Sequence, residues 1–228
     1  MTTVLLARHG RTKANATAIL AGWTPAVELD ERGQEQAQAL AERLSPLPLT
    51  AIVASPLDRC QQTATALASG RDGLSVQTDD RLGEAHYGDW TGQELKKLAR
   101  DPLWKVVQQH PSAAVFPGGE GLAVTQARAV ACVRDWNSRL GPDAIWLACS
   151  HGDVIKAVVA DALGLHLDLF QRIVVDPCSL TVIRYTETRP FLIRLNDTGG
   201  SVADLLPPKR RRRRRTASSD AVVGGGAG

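Results

Sequence analysis

Short apolar runs alternate along this chain with longer stretches in which apolar residues recur every three or four positions. Such runs are typical of buried strands, and the periodic stretches are typical of helices that bury one face. The runs predict strands at 4–7, 50–54, 74–78, 144–149, 180–186 and 191–195, and the periodic stretches predict helices at 31–44, 56–68, 93–109, 122–140 and 153–163. Because strands alternate with helices, we predict an α/β fold, a three-layer α/β/α sandwich around a mainly parallel central sheet.

Capping and breaking residues support several of these boundaries. Asp30 is expected to cap helix 31–44, and Ser55 followed by Pro56 to cap and begin the next helix. Pro102 interrupts the helical period of the third predicted helix, at 93–109. The remaining long segments, 11–30, 79–92 and 111–121, are predicted to be loops.

Composition indicates a globular protein with a sizeable core. The 228 residues are 43% hydrophobic and 22% charged, and a folded domain is expected over residues 1–206. No apolar run approaches the roughly 18 residues of a membrane span, and no secretory signal is visible at the start. The four cysteines are widely spaced, which favours free thiols in a reducing, cytoplasmic location.

The net charge of +3 is unevenly distributed. Residues 209–215 supply 7 of the 27 basic residues, while residues 209–228 hold one of the 24 acidic ones, so the rest of the chain has a net charge of −3. Residues 207–228 are therefore predicted to be a disordered basic and glycine-rich tail. It is either a solvated extension or a nonspecific contact for polyanions such as nucleic acid or anionic lipid.

Two of the predicted strands end in the same dipeptide, His9-Gly10 in one and His151-Gly152 in the other. Because parallel strands end at the same edge of a sheet, both histidines are expected in one pocket. Gly10 allows the backbone to turn tightly or to approach a ligand. The helix that follows His151 presents its amide-bearing end there, which favours an anion.

Two arginines strengthen the prediction of an anion site. Arg8 precedes the first histidine, and Arg59 lies in the first turn of helix 56–68, where a cation is normally unfavourable. An anion between Arg59 and the helix end explains that placement. The two arginines and the two histidines then form a positive cage whose natural occupant is a tetrahedral dianion such as phosphate.

Five motifs carry a resemblance to a known family. They run in order between residues 4 and about 198, and they are Arg8-His9-Gly10-x-Thr12-x-x-Asn15, Ser55-Pro56-Leu57-x-Arg59-Cys60-x-Gln62-Thr63-Ala64, Leu82-x-Glu84-x-x-Tyr87-Gly88-Asp89-Trp90-x-Gly92, Pro117-x-Gly119-Glu120 and Ser150-His151-Gly152. This set resembles the histidine phosphatase superfamily, the phosphoglycerate-mutase-like proteins. Asn196-Asp197-Thr198 resembles the family's closing strand.

The resemblance implies a phosphomonoester hydrolase that acts on a small phosphorylated metabolite through a phosphohistidine. No cofactor and no metal are expected, and a homodimer is a candidate assembly of the chain. The resemblance also implies that His9 is the nucleophile and that Glu84 acts first as the general acid and then as the general base. The implied catalytic residues are His9, Glu84 and His151, and the implied phosphate-binding residues are Arg8, Asn15, Arg59 and Gly152.

Several of these assignments have alternatives. Asn15 could instead form a local turn, and Asp79, Asp80 or Asp89 could replace Glu84 as the acid. Glu120 is expected to order a loop rather than to take part in chemistry. A divalent metal held by the histidines and acids is disfavoured, because two arginines beside the cation would repel it.

Asp153 departs from the family, in which many members have a neutral residue after the second His-Gly pair. A carboxylate beside a phosphate would weaken binding, so Asp153 is expected to turn away and cap the helix. The overall reaction also has alternatives, a phosphoglycerate-type mutase or a phospho-ligand binding module without turnover. Glu84 and Glu120 are only 36 positions apart. The family's mutases carry a longer insertion between these two motifs, which closes the site, so the short segment here favours a phosphatase over a mutase.

Overall fold

In the computed structural model, which describes residues 1–199, six strands form one sheet with helices on both of its faces. The strands are β1 (Thr2–Arg8), β2 (Ala51–Ala54), β3 (Val76–Thr78), β4 (Ile145–Ser150), β5 (Leu180–Tyr185) and β6 (Pro190–Asp197), in the spatial order β3-β2-β4-β1-β5-β6. The strands from β3 to β1 in that order are mutually parallel, and β5 runs antiparallel to both of its neighbours. The predicted mainly parallel sheet is confirmed.

Within residues 1–199, seven α-helices surround the sheet: α1 (Lys13–Ala16), α2 (Glu31–Leu44), α3 (Asp58–Ala68), α4 (Leu95–Leu98), α5 (Pro102–Gln109), α6 (Leu122–Leu140) and α7 (Gly152–Ala162). Short 3-10 helices lie at Asp80–Leu82, Gly88–Trp90, Pro111–Ala113 and Leu167–Arg172. None of the helices within residues 1–199 is long and apolar enough to cross a membrane.

The core lies in two layers separated by the sheet. Along β1, Val4 and Leu6 pack into one hydrophobic cluster, and Leu5 and Ala7 pack into the other. Side chains of a strand alternate between the two faces of a sheet, so a strand buried on both faces needs an unbroken apolar run. That run positions the end of β1, where the polar residues begin, inside the molecule.

Local signals located most of the elements but misplaced some ends. Asp30 caps α2 as predicted, its carboxylate accepting from the Gly33 amide at 2.8 Å. Ser55 and Pro56 do not start α3, which begins at Asp58 after a Leu57 that makes no side-chain cap. The Ser55 hydroxyl instead lies 2.7 Å from His151, so a tertiary contact replaces the expected cap.

The helical period at 93–109 divides into two helices, with Asp101 capping α5 and Pro102 as its first residue, so the predicted interruption at Pro102 is confirmed. Three other expectations need correction. The loop predicted at 11–30 contains the short helix α1, and the strand expected at 74–78 is limited to β3. The helix predicted at 153–163 ends one residue earlier, at Ala162, and Leu163, an apolar residue of that predicted helix, is 46% exposed.

The boundary of the domain at residue 206 and the tail at 207–228 lie outside the described residues. All four cysteines are free thiols and are buried, as the sequence predicted for the thiols.

Candidate active site

The two histidines meet at one edge of the sheet. β1 and β4 are parallel neighbours in which Arg8 lies opposite Ser150, so the residue after each strand is a histidine at the same level. The amide of His9 donates to the Ser150 carbonyl at 3.0 Å, and the centroids of the His9 and His151 rings are 5.2 Å apart. The predicted convergence of the two strand ends is confirmed.

His9 is held as a neutral ring with the lone pair of its Nε2 directed at Arg59. Its Nδ1 lies 2.7 Å from the Gly10 carbonyl oxygen, which can only accept, so Nδ1 carries the proton. Its Nε2 therefore accepts from Arg59 Nε, at 3.3 Å. Burial, followed by the charges of Arg59 and Arg8, keeps the pKa of His9 well below its ordinary value. A neutral imidazole with an unprotonated Nε2 is the form that attacks phosphorus.

Arg59 connects the two histidines from the first turn of α3. Its Nη2 donates to the Gly22 carbonyl at 2.8 Å and lies 3.2 Å from His151 Nδ1. Its Nη1 is buried and has no hydrogen-bond partner among the described residues. Thr63 supports this turn, since its hydroxyl donates to the Arg59 carbonyl and accepts from the Gly10 amide. A buried guanidinium with an unused donor is suited to bind an anionic oxygen.

His151 is oriented by contacts on both ring nitrogens. Because the Arg59 guanidinium can only donate, His151 Nδ1 accepts, and Nε2 carries the proton that points to Ser55 Oγ at 2.7 Å. Burial is the main reason that the pKa of His151 lies well below its ordinary value, with Arg59 and His9 adding to the effect. The ring is neutral and completely buried.

Arg8 and Gly10 complete this edge of the sheet. The Arg8 guanidinium is fully buried and donates from Nη1 to the Val175 carbonyl at 2.8 Å. Gly10 is required for a close approach of the backbone to another part of the chain. A Cβ at Gly10 would lie 2.5 Å from the carbonyl oxygen of Gly33 in α2.

Glu84 faces the histidines from the loop between β3 and α4. Its Oε2 lies 3.8 Å from His151 Nδ1, and its Oε1 accepts from the Ala85 amide at 3.1 Å. Burial first, and then the carboxylate of Asp153, raises the pKa of Glu84 to about 7. A carboxyl group with that pKa can both donate and accept a proton near neutral pH.

The other carboxylates of this loop lie in different surroundings. Asp80 and Asp89 are exposed. Asp79 is bound by Arg81 at 2.7 Å and by the Trp136 indole at 2.9 Å, and these hydrogen bonds outweigh its partial burial and lower its pKa. Glu84 is the carboxyl group of the loop that is both buried and adjacent to the histidines.

Comparison with known proteins identifies the family of this chain. The model of the histidine phosphatase superfamily (branch 1) matches residues 4–198. The chain belongs to the histidine phosphatase superfamily.

Several relatives of this histidine phosphatase have names. Phosphoserine phosphatase 1 of Hydrogenobacter thermophilus is 30% identical over 87% of this chain and 93% of its own length. Glucosyl-3-phosphoglycerate phosphatase of Mycolicibacterium vanbaalenii is 34% identical over 72% of this chain and 76% of its own. Other matched relatives are named "Probable phosphoglycerate mutase". The predicted class, a phosphomonoester hydrolase of this superfamily, agrees with these matches.

A solved structure shows the same fold. YhfR of Bacillus stearothermophilus superposes on this histidine phosphatase with a TM-score of 0.81, at 30% identity, over 86% of this chain and 98% of its own. The fold that the resemblance implied is confirmed.

Asn15 has a structural role in this histidine phosphatase. It forms a capping box with Thr12 at the start of α1, in which its Oδ1 accepts from the Thr12 amide at 3.1 Å and from the Thr12 hydroxyl at 3.0 Å. The alternative of a local turn former therefore describes a contact that is present. A phosphate contact through the amide group of Asn15 stays a prediction.

Sequence reasoning missed Arg128, which holds the loop of Glu84 in place. From α6, its guanidinium donates to the carbonyls of Arg81, Gly83 and Glu84 at 2.7, 2.8 and 2.9 Å. Glu120 pairs with Arg128 at 2.6 Å and accepts from the His86 amide at 3.0 Å. The prediction that Glu120 orders a loop is confirmed. No local sequence signal identifies the contact of Arg128 with this loop, because the carbonyls that it binds belong to residues more than 40 positions away.

Trp23 adds a second contact to the same loop. Its indole Nε1 donates to the Glu84 carbonyl at 2.6 Å, and its ring stacks on the exposed ring of His86 with centroids 4.2 Å apart. Trp90, later in the same loop, is buried against Trp104 and Phe116 in the core.

Asp153 is not the N-cap of α7, a position that His151 occupies. Asp153 is the second residue of the helix, and its Oδ2 accepts from the Tyr87 hydroxyl at 2.8 Å. The expected cap is wrong because a buried side-chain donor and the nearby Lys156 bind the carboxylate instead. Gly152 is the first residue of α7 and is buried beside His151, and its part in binding phosphate stays a prediction.

Proposed function

We propose that this histidine phosphatase hydrolyses phosphomonoesters of small metabolites through a phosphoryl group carried on His9 Nε2. The observation that carries the proposal is the geometry of His9. Its proton is fixed on Nδ1 by the Gly10 carbonyl, so Nε2 keeps its lone pair. That lone pair lies within a buried cluster of positive side chains. That arrangement makes the ring a nucleophile and attracts the anionic substrate to it.

In the first half-reaction, His9 Nε2 forms a bond to phosphorus while the bond from phosphorus to the alcohol oxygen breaks. Glu84 transfers its proton to that oxygen, so the product leaves as a neutral alcohol. Arg8, Arg59 and the amide end of α7 are proposed to hold the other phosphoryl oxygens, and His151 to join them when its Nδ1, which accepts from Arg59 in the free protein, takes up a proton beside the bound dianion. Their charges and donors offset the negative charge that spreads over those oxygens in the transition state.

In the second half-reaction, water attacks the phosphorus of phosphohistidine. Glu84, now a carboxylate, accepts a proton from the water as the new oxygen–phosphorus bond forms and the nitrogen–phosphorus bond breaks. The electron pair returns to His9 Nε2, and inorganic phosphate is released. Both protein groups end in their starting states, which a pKa near 7 for Glu84 allows.

A mutase would follow the same first step and then transfer the phosphoryl group to a second hydroxyl. Some relatives bear mutase names, so the distinction depends on how well water is excluded. The segment between Glu84 and Glu120, which closes the site in the family's mutases, spans only 36 positions here. So short a segment favours access of water to the phosphohistidine. We therefore place hydrolysis first and mutase activity second.

The test is a panel of phosphorylated metabolites that includes phosphoserine, glucosyl-3-phosphoglycerate and 3-phosphoglycerate. Two relatives of this chain are named as phosphatases of the first two compounds. Release of inorganic phosphate from at least one compound, abolished in His9→Ala, is the expected result. Isomerisation of phosphoglycerate without release of phosphate would favour the mutase, and binding without either reaction would favour a binding module.

Three further expectations belong to this proposal. The buried free thiols support a reducing, cytoplasmic location, which a localised fusion protein would test. The homodimer remains a prediction that sedimentation of the purified chain tests. Binding of polyanions by residues 209–215 remains a prediction as well, and salt-dependent retention on heparin tests it against a variant that ends at residue 206.

A further inference from the structure

A second buried carboxyl group lies behind the proposed acid. Asp153 and Tyr87 are both fully buried, and the Tyr87 hydroxyl donates to Asp153 Oδ2 at 2.8 Å. On its other side, Asp153 Oδ1 lies 3.5 Å from Lys156 Nζ, which in turn donates to Gln171 at 3.1 Å. No step of the proposed reaction uses this network.

Tyr87 connects the network to Glu84. It lies three residues after Glu84 in the same loop, and its hydroxyl faces both carboxyl groups. Burial first, and then Asp153 and Glu84, holds the pKa of Tyr87 well above its ordinary value, so the hydroxyl keeps its proton. A phenol has one proton to donate, and here the proton is given to Asp153.

The remaining lone pairs of that oxygen can accept from a protonated Glu84 and would repel an ionised one. We propose that Asp153, acting through Tyr87, is a positioning residue that keeps Glu84 protonated before substrate is cleaved. The proposal concerns the protonation state of Glu84, and its value to catalysis rests on the acid role given to Glu84 above.

The charges around Glu84 show why such a device is needed. Arg8 from β1 and Arg59 from α3 both favour the ionised carboxylate, as does the hydrogen bond from the Ala85 amide. Burial opposes them, and so does the negative charge of Asp153 from α7. His151 is neutral and is 3.8 Å away, so it adds no cation. Without Asp153, a carboxyl group between two arginines would lose its proton at lower pH.

Two variants test the proposal, Asp153→Asn and Tyr87→Phe. The direct readout is the titration of the Glu84 carboxyl carbon by NMR in protein labelled at its glutamates, assigned through the signal lost in Glu84→Gln. Asp153→Asn should move that titration to lower pH by about one pH unit, and Tyr87→Phe should move it in the same direction by a smaller amount. The alkaline limb of kcat/KM for an alkyl phosphate should move with it.

Asp161→Asn is the matched control, because it removes a carboxylate from the same helix. Asp161 pairs with the exposed Arg134 at 3.0 Å, so its removal should leave the Glu84 titration unchanged. Tyr87→Phe removes a single oxygen and keeps the ring, so it decides the question even where Asp153→Asn fails to fold.

A Glu84 titration that stays in place or moves to higher pH in the folded variants would overturn the proposal. A titration that moves as expected while the alkaline limb does not would support the positioning role of Asp153. That second result would contradict the acid role of Glu84, so the two failures are distinguishable.

Discussion

Oε2 of Glu84 lies 3.8 Å from Nδ1 of His151, and less than a twentieth of either residue is exposed to solvent. The proposed acid therefore adjoins the proposed phosphate cage in a region of low dielectric. In such a region the pKa of a carboxyl group rises and the pKa of an imidazole falls, because burial disfavours the charged form of each. The pKa shifts of Glu84, His9 and His151 all follow this rule.

The first prediction is the pH dependence of kcat/KM. His9 stays neutral well below its ordinary pKa, whereas Glu84 must be protonated to donate and has a pKa of about 7. The rate with an alkyl phosphate should therefore fall as the pH rises above about 7. On the acid side it should fall near pH ~6, where the substrate loses its dianionic form. Steady-state rates across the pH range check this, and a rate that rises steadily to pH 9 would contradict it.

The second prediction concerns Arg59. Arg59→Ala removes a buried guanidinium that contacts both histidines, so kcat/KM should fall by about 10²–10³-fold. Arg71→Ala is a control near the end of α3, since Arg71 donates to the carbonyls of Leu44, Leu47 and Leu67, away from the site. The control should lower the melting temperature while leaving kcat/KM within a few-fold of the wild type. Equal losses of kcat/KM in the two variants would mean that Arg59 is only structural.

The third prediction concerns the loop that carries Glu84. Arg128→Met leaves three carbonyls and Glu120 without their donor, so the acid should be poorly placed. We expect kcat for an alkyl phosphate to fall by roughly 10–10²-fold and the melting temperature to fall by several degrees. Arg134→Ala, in the same helix at an exposed pair with Asp161, should change neither. Full activity of Arg128→Met would show that the loop keeps its shape without this clamp.

The fourth prediction separates the acid role of Glu84 from a structural one. An alkoxide needs a proton to leave, whereas a nitrophenolate does not. Glu84→Gln should therefore slow hydrolysis of alkyl phosphates by roughly 10²–10⁴-fold and slow phosphorylation by an aryl phosphate much less. Because Glu84 also serves as the base for water, rapid quench should show a fast burst of nitrophenol followed by slow turnover.

Two exposed carboxylates of the same loop provide controls for that variant. Asp80→Asn and Asp89→Asn should retain the activity of the wild type, since neither side chain is buried beside the histidines. Equal slowing of both substrate types by Glu84→Gln, without a burst, would assign the acid to another residue.

The parts of the site that follow from local rules were predictable from the sequence. An apolar strand that stops at a His-Gly pair is recognised by its pattern, and two such strands in parallel bring His9 and His151 together. The position of Arg59 in the first turn of a helix is local as well.

The errors arise where a tertiary contact replaces a local one. Ser55-Pro56 has the pattern of a helix start, yet the serine hydroxyl binds His151, 96 residues away. Asp153 has the pattern of a cap, yet it accepts from Tyr87, 66 residues earlier in the chain. Arg128 has no pattern at all, because its role consists of contacts with backbone carbonyls of a distant loop.

The most direct test of the account is to trap the phosphoenzyme. Protein mixed with an aryl phosphate, quenched at high pH within milliseconds and analysed by peptide mass spectrometry should carry one base-stable, acid-labile phosphoryl group, on His9. His9→Ala should carry none and should lose at least ~10⁴-fold in turnover, because a covalent nucleophile has been removed. Turnover of the wild type without a phosphoryl group on His9, together with substantial activity in His9→Ala, would contradict the account.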